Sequence, residues 1–158
     1  MEGDTSKKSE YTPAQQQQVI RGAFDKYYGY LRANDPVAAY LVIYSLLEVR
    51  LNGMYEKERD FCMAQGIEKK ANVDKYRPIR QKVGYLEQRG RLRPEEAEKI
   101  RACIDERNGN YHDLIWRMNE LTIERCEEVR SLEQIAMNAR KRQKYWHNKT
   151  GESEKRRK

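Results

Sequence analysis

Hydrophobic residues recur every three or four positions along most of the chain, the spacing that places side chains on one face of an α-helix. The most apolar segment begins after Asp35, a residue suited to cap a helix, and we expect it to run to about Gln65 before Gly66 ends it. Its apolar stripe comprises Ala39, Ile43, Leu46, Leu47, Leu51 and Met54. A stripe this wide is typical of the central helix of a bundle.

An earlier helix is predicted to open at Thr12, with Pro13 at its first position and Gln15 completing a capping box. After the central helix, a third pattern includes Val73 and Tyr76 and ends near Gly90.

A fourth helix is predicted to open at Pro94, and a long fifth one to follow Gly109. The expected stripe of the fifth comprises Leu114, Met118, Leu121, Leu132, Ile135 and Ala139. No stretch alternates over the length of a strand, so the sequence predicts an all-α bundle of about five helices.

The chain is expected to hold one domain, with residues 1–11 as a flexible N-terminus, 12–142 as the helical domain and 143–158 as a basic, disordered tail. Its net charge of +7 favours nucleic acid or another polyanion as a partner. No apolar run approaches the length of a membrane span, and the three cysteines are far apart. We therefore expect a cytoplasmic protein with no metal, no cofactor and no membrane partner.

Arg107 interrupts the apolar stripe of the fourth helix. That stripe runs through Ala97, Ile100, Cys103 and Ile104, and its next position is 107. A charged side chain at a core position is costly unless it is paired or serves a site. We expect Asn108 and Gly109 to break the helix and His112 to lie in the first turn of the next one.

This arrangement would suit phosphoryl chemistry without a metal. The positive end of a helix lowers the pKa of a histidine, and a neutral imidazole is the form that a general base needs. A neighbouring arginine could neutralise phosphate oxygens as their charge grows. The same spacing recurs between Arg142 and His147. We set that copy aside, because it lies in the basic tail with no helix break and no expected core contact.

The run LEQRGRLRPEEAEKIRACIDERNGNYH, residues 86–112, resembles the signature of HEPN domains. Those are helical bundles in which a helix ends in an arginine and a polar residue, and a histidine follows the arginine after four to six intervening positions. Here these are Arg107, Asn108 and His112. Many toxin members carry a tyrosine two residues after the histidine, whereas this chain has Leu114 there and Tyr111 ahead of the histidine.

The resemblance implies a homodimeric, metal-independent endoribonuclease of a toxin or defence type, restrained by an antitoxin or another regulatory protein. His112 would deprotonate the ribose 2′-hydroxyl, Arg107 would hold the scissile phosphate, and Asn108 would orient the histidine or bind phosphate. The product would be a 2′,3′-cyclic phosphate.

Other interpretations of the same residues stay open. Arg107 could pair with Glu48, Asp105 or Glu106, and His112 could simply be a hydrogen-bonded residue at a helix start. The candidate RNA-binding residues are Tyr111, Arg140, Lys141, Arg142 and Lys144. The alternative functions are a non-catalytic HEPN-like dimerisation or partner-binding module, and a small basic helical protein that binds nucleic acid through its tail.

Overall fold

The computed structural model describes residues 10–68, 77–110 and 117–157 of the chain. These residues form five α-helices and no strand, which confirms the predicted all-α bundle. The helices are α1 (Pro13–Arg32), α2 (Pro36–Ala64), α3 (Ile79–Gln88), α4 (Pro94–Asn110) and α5 (Ile123–Arg157). A short 3-10 helix, Met118–Glu120, precedes α5.

Local capping chemistry sets the ends of the first two helices as predicted. The backbone N–H of Gln15 donates to Thr12 Oγ1 at 3.2 Å, and that of Thr12 donates to Gln15 Oε1 at 2.8 Å, which completes the capping box. The N–H of Ala38 donates to Asp35 Oδ1 at 3.1 Å at the start of α2. After α2, Gly66 has a φ of 69°, a left-handed conformation that favours glycine and ends the helix.

The central helix is α2, which packs against α1, α3 and α5, while α4 closes the bundle against α3 and α5. Its buried face comprises Ala39, Tyr40, Ile43, Tyr44, Leu46, Leu47, Leu51, Met54, Tyr55, Glu58 and Cys62. Length and composition alone would also allow α2 to cross a bilayer, as is common for the core helix of a bundle. In this fold its apolar face is the main contributor to the core.

Two expected boundaries in the second half of the chain are wrong. Asn108 and Gly109 do not break α4, which continues to Asn110. The last long helix begins only at Ile123, where the hydroxyl of Thr122 accepts from the N–H of Arg125 at 3.1 Å. The third predicted helix corresponds to α3, which ends at Gln88 and buries Val83 and Leu86. Its first expected positions, Val73 and Tyr76, lie outside the described residues, as does the expected stripe position at Leu114.

The expected disordered tail from residue 143 is also corrected. Helix α5 runs without interruption past residue 142, and Gln143 is completely buried. The physical reason is a continuing core stripe: Ala136, Ala139 and Gln143 follow one another at spacings of three and four, with the basic residues between them. Residue 142 is therefore not the end of the packed domain.

Candidate functional site

Arg107 lies in the last turn of α4 and is half-buried against the central helix. Its guanidinium carbon is 4.6 Å from the ring centroid of Tyr44 on α2, which is within the range of a cation–π contact. Burial raises the pKa of Tyr44, and among the described residues its buried hydroxyl has no hydrogen-bond partner. The arginine is thus anchored on α2 beside a polar group that the described residues leave unsatisfied.

Two of the three carboxylates considered as partners of Arg107 form ion pairs with other arginines. Asp105 accepts from Arg80 at 3.0 Å, and Glu106 forms an ion pair with Arg125 at the start of α5. Glu48 and Arg107 both act on the hydroxyl of Tyr44, with opposite effects on its pKa. The end of α4 therefore contacts α3, α5 and α2.

The structure describes two of the three residues assigned to chemistry. Asn108 is exposed on α4, about 100° around the helix from the half-buried Arg107, so the two do not share an environment. His112 and Tyr111 lie outside the described residues, which resume at Arg117.

The candidate RNA-binding residues of α5 divide into two kinds. Arg142 donates to Glu96 Oε1 on α4 at 2.6 Å, and Arg140 donates to Gln143 Oε1 at 3.2 Å. Burial also lowers the pKa of Arg140. Lys141 and Lys144 are exposed. Of these four residues, only the two lysines are exposed and make none of the contacts just described.

Sequence reasoning missed a buried polar centre around Glu58. This glutamate on α2 is completely buried, and its carboxylate accepts hydrogen bonds from the link between α3 and α4 and from α5. Arg91 Nε lies 3.0 and 2.9 Å from the two carboxylate oxygens, and Arg89 Nε is 3.3 Å from Oε1. Gln143 Nε2 donates to Oε2 at 3.0 Å, and His147 Nε2 is 2.8 Å from the same oxygen. We call this set the Glu58 centre.

The Glu58 centre holds an ionised carboxylate inside the bundle. Burial by itself would raise the pKa of Glu58, but hydrogen bonds from Gln143, His147 and Arg91 outweigh it, and the pKa is lowered from 4.5. Gln143 Nε2 also donates to the backbone oxygen of Met54 at 2.9 Å. Because these donors come from several elements, the carboxylate joins α2, the α3–α4 link and α5.

His147 therefore belongs to the packed core, contrary to the expectation that it has no core contact. Its ring stacks on Phe61 with centroids 4.1 Å apart and an interplanar angle of 4°. Arg91 lies over the same phenylalanine at 6.0 Å. Since Glu58 is completely buried among the described residues, the centre fits a role in holding the helices together.

The described residues contain no group of three or more His, Cys, Asp or Glu side chains placed to hold a metal ion. The three cysteines, Cys62, Cys103 and Cys126, are free and buried. Burial raises the pKa of the Cys103 and Cys126 thiols, which disfavours the reactive thiolate at both positions.

Comparison with known proteins gives no match: no protein-family model, no curated protein and no solved structure matches this chain. The likeness to HEPN domains, which the run at residues 86–112 and the long central helix carry, therefore depends on the sequence alone.

Proposed function

We propose that this protein is a metal-independent endoribonuclease of a toxin or defence type, with the HEPN-like pair Arg107 and His112 as its catalytic residues. The observation that supports the proposal is the placement of Arg107. It is half-buried at the end of α4, over Tyr44 of the central helix, and five residues before His112 in sequence. A guanidinium held in a fixed, partly desolvated position stabilises developing phosphate charge better than a mobile one.

In the proposed reaction His112 takes the proton from a ribose 2′-hydroxyl, and the resulting oxygen attacks the adjacent phosphorus. The bond from phosphorus to the 5′-oxygen of the next nucleotide breaks, that oxygen leaves with a proton from water, and the protonated His112 releases its proton to solvent. Arg107 neutralises the equatorial oxygens as their negative charge grows, and Asn108 orients the histidine or binds phosphate. The products are a 2′,3′-cyclic phosphate and a 5′-hydroxyl end.

The first test is cleavage of single-stranded RNA by the purified protein in excess EDTA. Cleavage should persist in the chelator, leave cyclic phosphate ends, and be absent with DNA of the same sequence, because DNA lacks the attacking hydroxyl. End-group analysis by mass spectrometry identifies the product. Loss of activity in EDTA, or 5′-phosphate ends, would contradict the mechanism.

In the cell, such an activity implies a cytoplasmic site of action and a protein that restrains it.

One specific observation supports dimerisation, which the nuclease and the non-catalytic module have in common. Val19 of α1 and Leu41 and Val49 of α2 are 54%, 47% and 43% exposed, and they border a groove of about 400 Å³ between these helices. Leu41 and Val49 lie one turn either side of Ser45. A twofold axis at Ser45 would set each leucine against the valine of a second copy, so a dimer of this geometry would bury apolar side chains against each other.

We expect a homodimer through this strip, and Ser45→Glu should disrupt it by placing two like charges at the axis. Sedimentation velocity should show a wild-type dimer and a folded monomeric variant. Lys57→Gln, an exposed substitution on another face of α2, should leave the dimer intact. A monomeric wild-type protein at all concentrations, or a variant that still dimerises, would contradict this interface. If the dimer forms but no RNA is cleaved, the module interpretation is supported.

A further inference from the structure

Three cationic side chains from different parts of the chain converge on one tyrosine. Arg59 and Arg77 place their guanidinium carbons 5.6 and 5.8 Å from the ring centroid of Tyr55, and the Lys82 ammonium lies 5.3 Å from it. Arg59 is on α2, Arg77 precedes α3, and Lys82 is within α3. We call these three residues the Tyr55 cluster.

Glu56 and Glu48 raise the pKa of Lys82 in this cluster, and neither carboxylate forms an ion pair with it. Among the described residues, no carboxylate oxygen lies within 4.0 Å of any of the three cations. Lys82 Nζ donates to a neutral partner, Asn52 Oδ1, at 2.8 Å. Other arginines of the bundle differ in this respect, since Arg91 pairs with Glu58 and Arg142 pairs with Glu96. Three cations held together in this way attract an anion.

The start of α3 adds to the attraction. This helix begins beside Arg77, its N-cap is Pro78, and no side chain of the described residues caps it, so the positive end of its dipole adds to the charge of the cluster. Burial lowers the pKa of the Lys82 ammonium, and the charge of Arg59 also lowers it, against Glu56 and Glu48. A bound anion would offset the repulsion between these three cations.

The cluster lies on the same side of α2 as Arg107. Tyr44, beneath Arg107, and Tyr55 belong to one face of the helix. Asn52, the hydrogen-bond partner of Lys82, lies between them along the chain. Eleven residues separate the two tyrosines, about 16 Å along the helix axis. An extended strand of a few nucleotides spans that distance.

We propose that the Tyr55 cluster binds backbone phosphates of single-stranded RNA, as a site separate from Arg107 and His112. The choice of RNA rests on the proposed function, whereas the phosphate chemistry rests on the cluster itself. Tyr55 is buried and meets Tyr85 edge-on, with an interplanar angle of 75°, so its ring is not open to stack a base. Recognition is therefore of charge alone, which makes the binding independent of sequence and sensitive to salt.

The test measures binding by fluorescence anisotropy with two labelled single strands of one sequence, an RNA and a DNA. The DNA carries the same phosphates but cannot be cleaved through a 2′-hydroxyl. Each of Arg59→Gln, Arg77→Gln and Lys82→Gln should weaken binding of both strands about threefold to tenfold. Each should also reduce the slope of log affinity against log salt by about 0.7. Circular dichroism checks that the variants remain helical.

Lys57→Gln is the matched control, because it removes one positive charge from an exposed position about 200° around α2 from Arg59. It should leave both the affinity and the salt slope close to the wild-type values. Equal weakening by Lys57→Gln would overturn the proposal, as would wild-type affinity in all three cluster variants. So would a wild-type protein that binds inorganic phosphate but neither strand. Because the DNA arm involves no cleavage, a failed ribonuclease assay contradicts the proposed function without changing this result.

Discussion

Replacement of Glu58 by glutamine should lower the free energy of unfolding by about 3 kcal/mol. The carboxylate is completely buried and accepts from Arg89, Arg91, Gln143 and His147. Removal of its charge leaves two arginines close together without their anion, at side-chain exposures of 28% and 13%. Their residual contact with solvent keeps the loss near the lower end of the range for a broken buried ion pair. Thermal unfolding should shift down by roughly 10 °C.

Asp60→Asn is the matched control, because it removes one negative charge from an exposed position two residues along the same helix. Its effect should stay within about 0.5 kcal/mol. His147→Ala, which removes one hydrogen bond to Glu58, should cost about 2 kcal/mol and gives a graded readout if Glu58→Gln fails to fold. A Glu58→Gln protein as stable as Asp60→Asn would contradict the structural role of the centre.

The pH dependence of the same variant provides a second readout. The folded pKa of Glu58 is lowered from 4.5, so its stabilising effect is present above that value and is lost as the pH falls through the folded pKa. The difference in unfolding free energy between wild type and Glu58→Gln should therefore shrink as the pH is lowered below 4.5. Urea denaturation at a series of pH values measures it.

Local signals in the sequence were sufficient for the first half of the fold. Thr12, Asp35 and Gly66 act through neighbours within a few residues, so their caps and turn could be predicted without any tertiary information. The stripe of α2 likewise depends only on the period of its own residues. The all-α fold class, the order of the first two helices and the position of the central helix could be predicted from these caps and this stripe.

The Glu58 centre could not be predicted in the same way, because its partners lie 85 and 89 residues away along the chain in Gln143 and His147. One signal was nevertheless available. The stripe of Leu47, Leu51 and Met54 reaches Glu58 at its next position, the same argument that singled out Arg107. Glu58 was the more deeply buried of the two.

The break expected at Asn108 and Gly109 failed for a related reason. An Asn-Gly pair is a strong turn signal, but an internal glycine costs a helix only about 1 kcal/mol, which packing of the helix outweighs. Ion pairs from Asp105 to α3 and from Glu106 to α5 hold this end of α4 in place. Tertiary contacts therefore outweighed the turn propensity of Asn108 and Gly109.

Substitution of His112 by alanine should reduce RNA cleavage by a factor of about 100 to 10,000, the usual contribution of a general base. Arg107→Lys should also reduce it, by about 100-fold, because an ammonium keeps the charge and the contact with Tyr44 but loses the planar, bidentate donors. The lysine variant is preferred to alanine, since half-buried Arg107 also packs against α2. Cleavage rates are measured in EDTA, on protein shown to be folded.

The chain has two histidines, and each follows an arginine by five positions, so it provides its own control. His147→Ala alters the Glu58 centre and not the proposed site, and it should therefore cleave RNA at close to the wild-type rate below its unfolding temperature. The reverse pattern, with activity lost in folded His147→Ala and retained in His112→Ala, would contradict the assignment and move the chemistry to α5. Because the two variants remove the same imidazole at the same spacing from an arginine, a difference in rate between the two folded proteins reports the position of each histidine in the fold.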